Sequence, residues 1–296
     1  MNKIIKALKK PKIAIINIMN LKFFRLLPDK IFIKIEYYLV MNKKLNLDNP
    51  KTFNEKLQWL KINDRKDIYT KIVDKYEVRE YISQKIGEEY LIPLIGVWDE
   101  FDEIDFSKLP NKFVLKPTHT SGNVFICKDK SKIDYKDLKR KVNKWMKRRY
   151  YWVHREWPYK NVKPRIICEE YISDKDSTPD DYKVMCFNSK AKLIEVHIDR
   201  FKNHNLDIYD NEWNRVALAE DGPSSNNVYE KPKEFDKMIK MSEKLSSISC
   251  HARIDWYIVN GKLYFGEITL YEASGLDQFN NPEDDCTLGE WINLYN

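Results

Sequence analysis

Apolar residues recur along this chain with two periods, and where one gives way to the other sets its organisation. Residues 52–61 have helical spacing, with Thr52 as N-cap and Glu55 three residues on, the signature of a reciprocal capping box. Over 67–86 the stripe Ile68, Ile72, Val78 and Ile82 predicts a single second helix. Residues 91–98 are short and β-rich around Pro93, and 111–117 and 123–127 predict strands joined by the polar loop Thr118-His119-Thr120-Ser121-Gly122. A basic helix over 134–149 and a strand over 165–171 follow. An antiparallel pair is predicted over 181–188 and 192–199, then a helix over 232–248 and strands over 252–259 and 262–270 around Asn260-Gly261. Strands and helices come in clusters with no βαβ rhythm, which predicts an α+β fold.

Composition changes this picture in two places. With 296 residues, 43% apolar and 33% charged, the chain can bury one large core or two to three lobes. Its five cysteines show no C-x-x-C spacing, which argues against a disulfide framework or a zinc site and makes a reducing cytoplasm the expected location. The net charge of +7 is uneven: residues 1–44 hold eleven Lys and Arg against Asp29 and Glu36, leaving the rest of the chain near neutral. The apolar run over 13–21 is too short to span a membrane and carries Asn17 and Asn20; no small-x-small site follows it, so neither a span nor a cleaved signal peptide is expected. The arm is read as a helix docked on the protein, with peripheral contact to an anionic membrane surface at residues 1–40 as the competing reading. Basic residues 139–149 are interleaved with Trp145, Tyr150, Tyr151 and Trp152, a pattern that can grip single-stranded nucleic acid. A near-neutral body argues against that partner, and the same surface would serve an anionic saccharide.

Three stretches can carry chemistry. The last hairpin places Arg253, Asp255 and Tyr257 on one face of its first strand, and Phe265, Glu267 and Thr269 on one face of its second. Acids inside apolar strands are costly to bury unless something positive meets them, and converging oxygen ligands suit Mg²⁺. A structural Arg253–Glu267 ion pair explains the pattern as well. In Phe113-Val114-Leu115-Lys116-Pro117, a lysine precedes the 118–122 loop, where an ammonium and backbone N–H groups could meet phosphates; a snorkelling edge lysine before an ordinary turn is the alternative. Ile166-Ile167-Cys168-Glu169-Glu170-Tyr171-Ile172 ends an apolar strand in paired acids, either a nucleotide-reading hinge or solvated glutamates. The Gly-x-x-x-x-Gly-Lys-Ser/Thr loop is absent, which excludes a P-loop NTPase on motif grounds.

In this order and spacing, Lys75, Lys116, the loop to Gly122, Glu169-Glu170, Arg253-x-Asp255 and Glu267-x-Thr269 resemble the ATP-grasp fold. Asn49-Pro50-Lys51-Thr52-Phe53-Asn54-Glu55-Lys56-Leu57-Gln58-Trp59-Leu60, Asp74-Lys75-Tyr76-x-Val78-Arg79 and Asp181-Tyr182-Lys183 resemble, more narrowly, the TupA-like ATP-grasp proteins of surface-polysaccharide loci, from about residue 42 to the C-terminus. The resemblance implies two α+β lobes clamping ATP, preceded by a helical N-terminal region: a basic arm over 1–45, a helical region over 46–112, a first lobe over 113–172 and a second over 173–296. It also implies Lys75 and Lys116 on phosphates, the loop with His119, Ser121 and Gly122 as lid, Glu169, Glu170, Tyr171 and Ile172 as adenine hinge, and Asp181 near the ribose. Asp255, Glu267 and Thr269 would bind Mg²⁺, with Thr269 standing where many relatives carry Asn. Arg253, Lys183 and Arg200 would serve the chemistry, in which a carboxylate is activated as an acyl phosphate and handed to an amine. A saccharide kinase or glycosyltransferase, or a non-catalytic assembly factor keeping the nucleotide fold, are the rival readings.

The Asn260-Gly261 turn decides whether the metal site can exist. Asn-Gly ordinarily closes a two-residue hairpin, which would set Asp255 opposite Gly266 and send Glu267 to the other face. The chemistry therefore predicts a three-residue loop or another odd register.

Overall fold

A computed structural model of the protein describes residues 19, 22–173, 179–198, 205–216 and 229–294. Residues 1–18, 20 and 21 of the basic arm fall outside the described residues; the rest of it includes helix α1 (Asp29–Met41). Helix α2 (Phe53–Asn63) starts where the pattern predicts: the Thr52 side chain accepts from the Glu55 N–H, and the Glu55 carboxylate accepts from the Thr52 N–H, so two first-turn donors are satisfied.

The single helix predicted over 67–86 is two, α3 (Ile68–Val73) and α4 (Val78–Lys85). The cause lies in the intervening residues. Asp74 Oδ1 accepts from the N–H groups of Tyr76 and Glu77 at 2.8 and 3.3 Å, offering the backbone an alternative to helical bonds. Arg165 then holds Asp74 and Glu77 together at 2.8 and 2.6 Å. The break frees Lys75 from the helical stripe and lets its ammonium reach the Thr120 carbonyl at 2.8 Å.

Strands β1 (Leu94–Trp98), β2 (Phe113–Pro117) and β3 (Phe125–Cys127), helix α5 (Tyr135–Met146) and strand β4 (Ile166–Glu170) make the smaller lobe. Its antiparallel sheet has the order β1-β4-β2-β3. Alternation sends Phe113, Leu115 and Cys168 into a core with Leu138 and Val142 of α5, and leaves Val114, Lys116, Ile167 and Glu169 on the opposite face.

The larger sheet is antiparallel in the order β7-β6-β5-β8-β9, from β5 (Asp181–Phe187), β6 (Lys190–Ile198), β7 (Asn205–Asp210), β8 (His251–Val259) and β9 (Lys262–Thr269). Helix α6 (Phe235–Ser246) precedes β8 and α7 (Pro282–Glu290) follows β9. Neither β7 nor α7 was expected from the apolar pattern. Val184, Ile254 and Trp256 share a core with Phe235, Met238 and Leu245 of α6, and Trp256 donates from its indole N–H to Ser242 Oγ at 2.8 Å. The whole architecture is α+β, as expected.

The hairpin corrects one expectation and meets another. The turn is the tight two-residue kind, with Asn260 at φ 50° and Gly261 at φ 70°, and Val259 pairs with Lys262; there is no three-residue loop. The odd register comes from further along. Trp256 pairs with Phe265 and Asp255 with Glu267, so Gly266 is left over as a bulge. Phe265 accordingly leaves the Glu267 face and meets the Trp256 ring edge-on at 6.1 Å.

Candidate active site between the two sheets

The open face of the small sheet and the β8–β9 end of the large sheet enclose a cavity of about 330 Å³. Its apolar walls include Val114, Ile126, Ile167 and Leu91; Lys75, Lys116 and Arg79 bring positive charge, and Asp181, Asp255 and Glu267 negative charge. Ser121 and Gly122, together with the chain from Glu169 to Ile172, complete much of the rim. Gly122 sits at φ +76°, a conformation that favours glycine, with open space where a side chain would be.

On the small-lobe side the lysine before the loop has a defined partner. Lys116 Nζ lies 2.7 Å from Glu169 Oε2, and Arg79 Nη1 lies 3.2 Å from Glu169 Oε1. The Glu169 side chain thus anchors two cations in the cavity, while Glu170 to Ile172 leave the strand end. Burial pulls the Lys75 ammonium below its ordinary range, against the opposing pull of Glu267. Arg79 was legible only as part of the D-K-Y-x-V-R run, four residues after Lys75 at the start of α4.

On the large sheet, four charged residues stand in one cross-strand row: Glu195 pairs with Lys183, Lys183 with Asp255, and Asp255 with Glu267. Lys183 Nζ is 2.7 Å from Asp255 Oδ2 and 3.5 Å from Asp181 Oδ2. Arg253, two residues before Asp255 on the same face, grips it with two donors, Nε to Oδ1 at 2.6 Å and Nη2 to Oδ2 at 2.8 Å. It also pairs with Glu272 and, at 3.4 Å, with Glu267 Oε1. The Arg253–Glu267 pair is therefore the longest of its contacts, a side branch of a buried network centred on Asp255. Burial alone would raise the Asp255 pKa, but Arg253 and Lys183 outweigh it and hold the carboxyl well below the usual range. Glu272 is pushed up to about 7 by burial and the nearby Glu195, only partly offset by Arg253. Glu195 and Glu272 were not singled out from the sequence, since a lone acid in a strand or turn gives no local sign of its neighbours.

The metal-ligand question can be tested on donor count. A carboxylate offers about four lone-pair sites. Asp255 spends three on Arg253 and Lys183, while Glu267 has a side chain 36% exposed toward the cavity and only one long contact. Thr269 is on the same face two residues on, paired with Arg253 across the hairpin. Among the described residues no group of three or more His, Cys, Asp or Glu converges to hold a metal by itself. Asp255, Glu267 and Thr269, beside Lys75 and Lys116, would suit Mg²⁺, which keeps waters and shares substrate phosphates.

Among the described residues, four expected ones, Arg253, Lys183, Thr269 and His119, are not among those that line the cavity. His119 is buried with Nε2 3.1 Å from the Arg148 carbonyl, its pKa lowered to about 4 by burial, and it braces the loop from behind. Arg200 lies outside the described residues.

Comparison with known proteins completes the assignment. No curated protein sequence matches the chain. Among solved structures, D-alanine–D-alanine ligase from Bacillus anthracis in complex with ATP is 17% identical, with 67% of this chain and 53% of that one covered at TM-score 0.39. An L-amino acid ligase from Bacillus licheniformis is 14% identical over 69% of this chain and 42% of that one, at TM-score 0.41. D-alanine–D-alanine ligase from Helicobacter pylori is 14% identical over 75% and 58%, at TM-score 0.40. The chain thus spans about half the length of the ligases it matches. The model of the TupA-like ATPgrasp family matches residues 55–293, which takes in both sheets, the cavity between them and the N-terminal helices α2 to α4. The chain belongs to the TupA-like ATPgrasp family.

Proposed function

We propose that the chain is an ATP-dependent carboxylate–amine ligase, forming an amide or peptide-like bond with release of ADP and phosphate. The observation that carries this reading is the opposition of Lys75 in the α3–α4 break and Lys116 on the small sheet to Asp255 and Glu267 on the large sheet, across one cavity. ATP with Mg²⁺, the cofactors of ATP-grasp ligases, would supply the phosphoryl group and offset its charge. The residues have separable tasks. Lys75 and Lys116 neutralise phosphate oxygens, and Ser121 and Gly122 cover them. The backbone from Glu169 to Ile172 reads the base and Asp181 takes the ribose hydroxyls. Asp255, Glu267 and Thr269 hold the metal. Arg253 and Lys183, already fixed against Asp255, offset charge that develops on the acyl oxygen, an arrangement that needs no reorganisation at the moment of reaction.

The carboxylate is proposed to be a uronic acid of a cell-surface polysaccharide, amidated in a capsule or teichuronopeptide-like pathway on the cytoplasmic side, with the free, nucleotide-linked or lipid-linked form as substrate. The supporting observations are membership of the TupA-like family and the Arg and Trp surface around residues 139–157. Peripheral contact with anionic membrane through residues 1–40 belongs to the same reading. The test is phosphate release from ATP across a matrix of uronates and amines, with mass analysis of products. ADP formation that depends on both a carboxylate and an amine is expected; ADP formation with a saccharide alone would make the protein a kinase instead.

A further inference from the structure

Among the described residues seven large apolar side chains are exposed, and five of them fall between residues 23 and 38. Phe23 and Leu26, three residues apart in the 3-10 turn Lys22–Leu26, are 76% and 81% exposed. Ile31, Ile35 and Tyr38 follow on α1, between 41% and 56% exposed. At roughly 100° per residue these last three fall within about 60° of arc. The buried residues of the same helix, Phe32, Ile33, Glu36 and Tyr37, centre roughly 160° away. Helix α1 thus has two apolar stripes on opposite faces: one closes the core with Leu45 and Leu47, and the other is exposed. An ordinary surface helix has a polar outer face.

We propose that this outer stripe, with Phe23 and Leu26, seats the protein in the interface of an anionic bilayer. The charge arrangement selects that occupant. Both acids of the segment are consumed inside the molecule: Asp29 by Arg65 at 2.7 Å, Tyr151 at 2.6 Å and Arg155 at 3.3 Å, and Glu36 by His154 at 2.9 Å. The exposed Lys30 and Lys34 line one edge of the stripe, and residues 1–12 add Lys3, Lys6, Lys9, Lys10 and Lys12 with no acid. An apolar face rimmed by lysines alone matches lipid tails beneath anionic headgroups, whereas a second copy would bring the same positive rim against it. This goes beyond charge attraction by the arm: it names an inserted face, whose binding salt does not screen. It rests on the proposed peripheral contact of residues 1–40, and because binding is measured without nucleotide its failure leaves the ligase reading untouched.

The test is cosedimentation of the full chain with phosphatidylcholine vesicles, with and without phosphatidylglycerol, at low and high salt. The wild type is expected to bind the anionic vesicles and to keep part of that binding at high salt. A variant carrying Ile31→Ser, Ile35→Ser and Tyr38→Ser should lose the salt-resistant part and bind about tenfold or more weakly, with an unchanged melting temperature. A Tyr38→Trp variant should show a blue-shifted emission on anionic vesicles. Wild-type vesicle binding by the triple variant would overturn the proposal, as would an emission spectrum of the Tyr38→Trp variant that is indifferent to vesicles. So would a wild-type dimer in solution that the triple variant converts to a monomer, with neither form binding vesicles.

Discussion

Asp255 and Glu267 face each other across the β8–β9 ladder because Gly266 pairs with nothing. A Cβ on Gly266 would stand 3.1 Å from the Asp255 carbonyl oxygen and 3.3 Å from the Asp255 Cβ, so any side chain there makes the Asp255 backbone give by a few tenths of an ångström. Gly266→Val should therefore cost about 1–3 kcal/mol of stability through overpacking. It should also lower Mg²⁺-dependent ATP turnover about tenfold or more, as the two carboxylates separate. Thermal unfolding and phosphate release measured on the same preparation check this; turnover that is unchanged while stability falls would dissociate the bulge from the site.

The cation and carboxylate that face each other over the cavity should be dispensable for folding and not for turnover. Glu267 is 36% exposed with one long contact, a kind of pair that contributes about 1 kcal/mol or less, and Arg79 still neutralises the buried Glu169 when Lys116 is removed. Lys116→Ala and Glu267→Gln are each expected to reduce ATP turnover by at least about 10²-fold, with melting temperatures close to that of the wild type. Either variant turning over ATP at the wild-type rate would remove its residue from the site.

How much of this was legible in the sequence depended on how local each cause is. The capping box at Thr52 and Glu55 and the Asn260-Gly261 turn are decided by residues within four positions, and local preference prevails at both. The α3–α4 break was not legible, because the side chain that competes with the helix, Asp74, is locked by Arg165 from far along the chain. The same holds in the site. Lys116, Asp255 and Glu267 stand out as charges in apolar strands, whereas Glu272 and Glu195 acquire meaning only when the sheet register and a later turn bring them to Arg253 and Lys183. His119 looked like a loop ligand, and its burial against the Arg148 carbonyl is a tertiary outcome.

Glu272 gives a pH signature. Its pKa in the folded protein, about 7, is above the ordinary 4.5. A carboxyl shifted upward contributes stability that is fully present below the unfolded value and is lost as pH rises through the folded one. The wild type should therefore lose stability relative to Glu272→Gln as pH climbs from about 4.5 to about 7. Denaturant titrations of both proteins across that range test it. A constant difference would mean that Glu272 titrates normally.

The turn that delivers Glu272 is itself held in an unfavourable shape, and its support comes from the helix with the most distinctive sequence in the chain. Ala273, Ser274 and Gly275 have φ of 41°, 58° and 64° in succession, and left-handed conformations are costly for the first two. Gln58 of α2 restrains them, donating from Nε2 to the Ser274 carbonyl at 3.0 Å and the Gly275 carbonyl at 2.6 Å. Gly275 lies so close that a Cβ there would stand 2.8 Å from Gln58 Nε2 and 2.9 Å from Leu57 Cβ. Gly275→Ala is expected to destabilise by about 2–4 kcal/mol, from the left-handed backbone and the clash together. Gln58→Ala should cost about 1–3 kcal/mol for the lost bonds to buried carbonyls. The two effects should not add. Removing the Gln58 amide also removes one of the two groups the new methyl would strike, so the double variant should be more stable than the sum predicts by about 0.5 kcal/mol or more, the coupling expected of residues in contact. Because the turn carries Glu272 to Arg253, each single variant should also lower turnover. Strict additivity in stability, with full turnover in both single variants, would mean that α2 does not support the site through this turn.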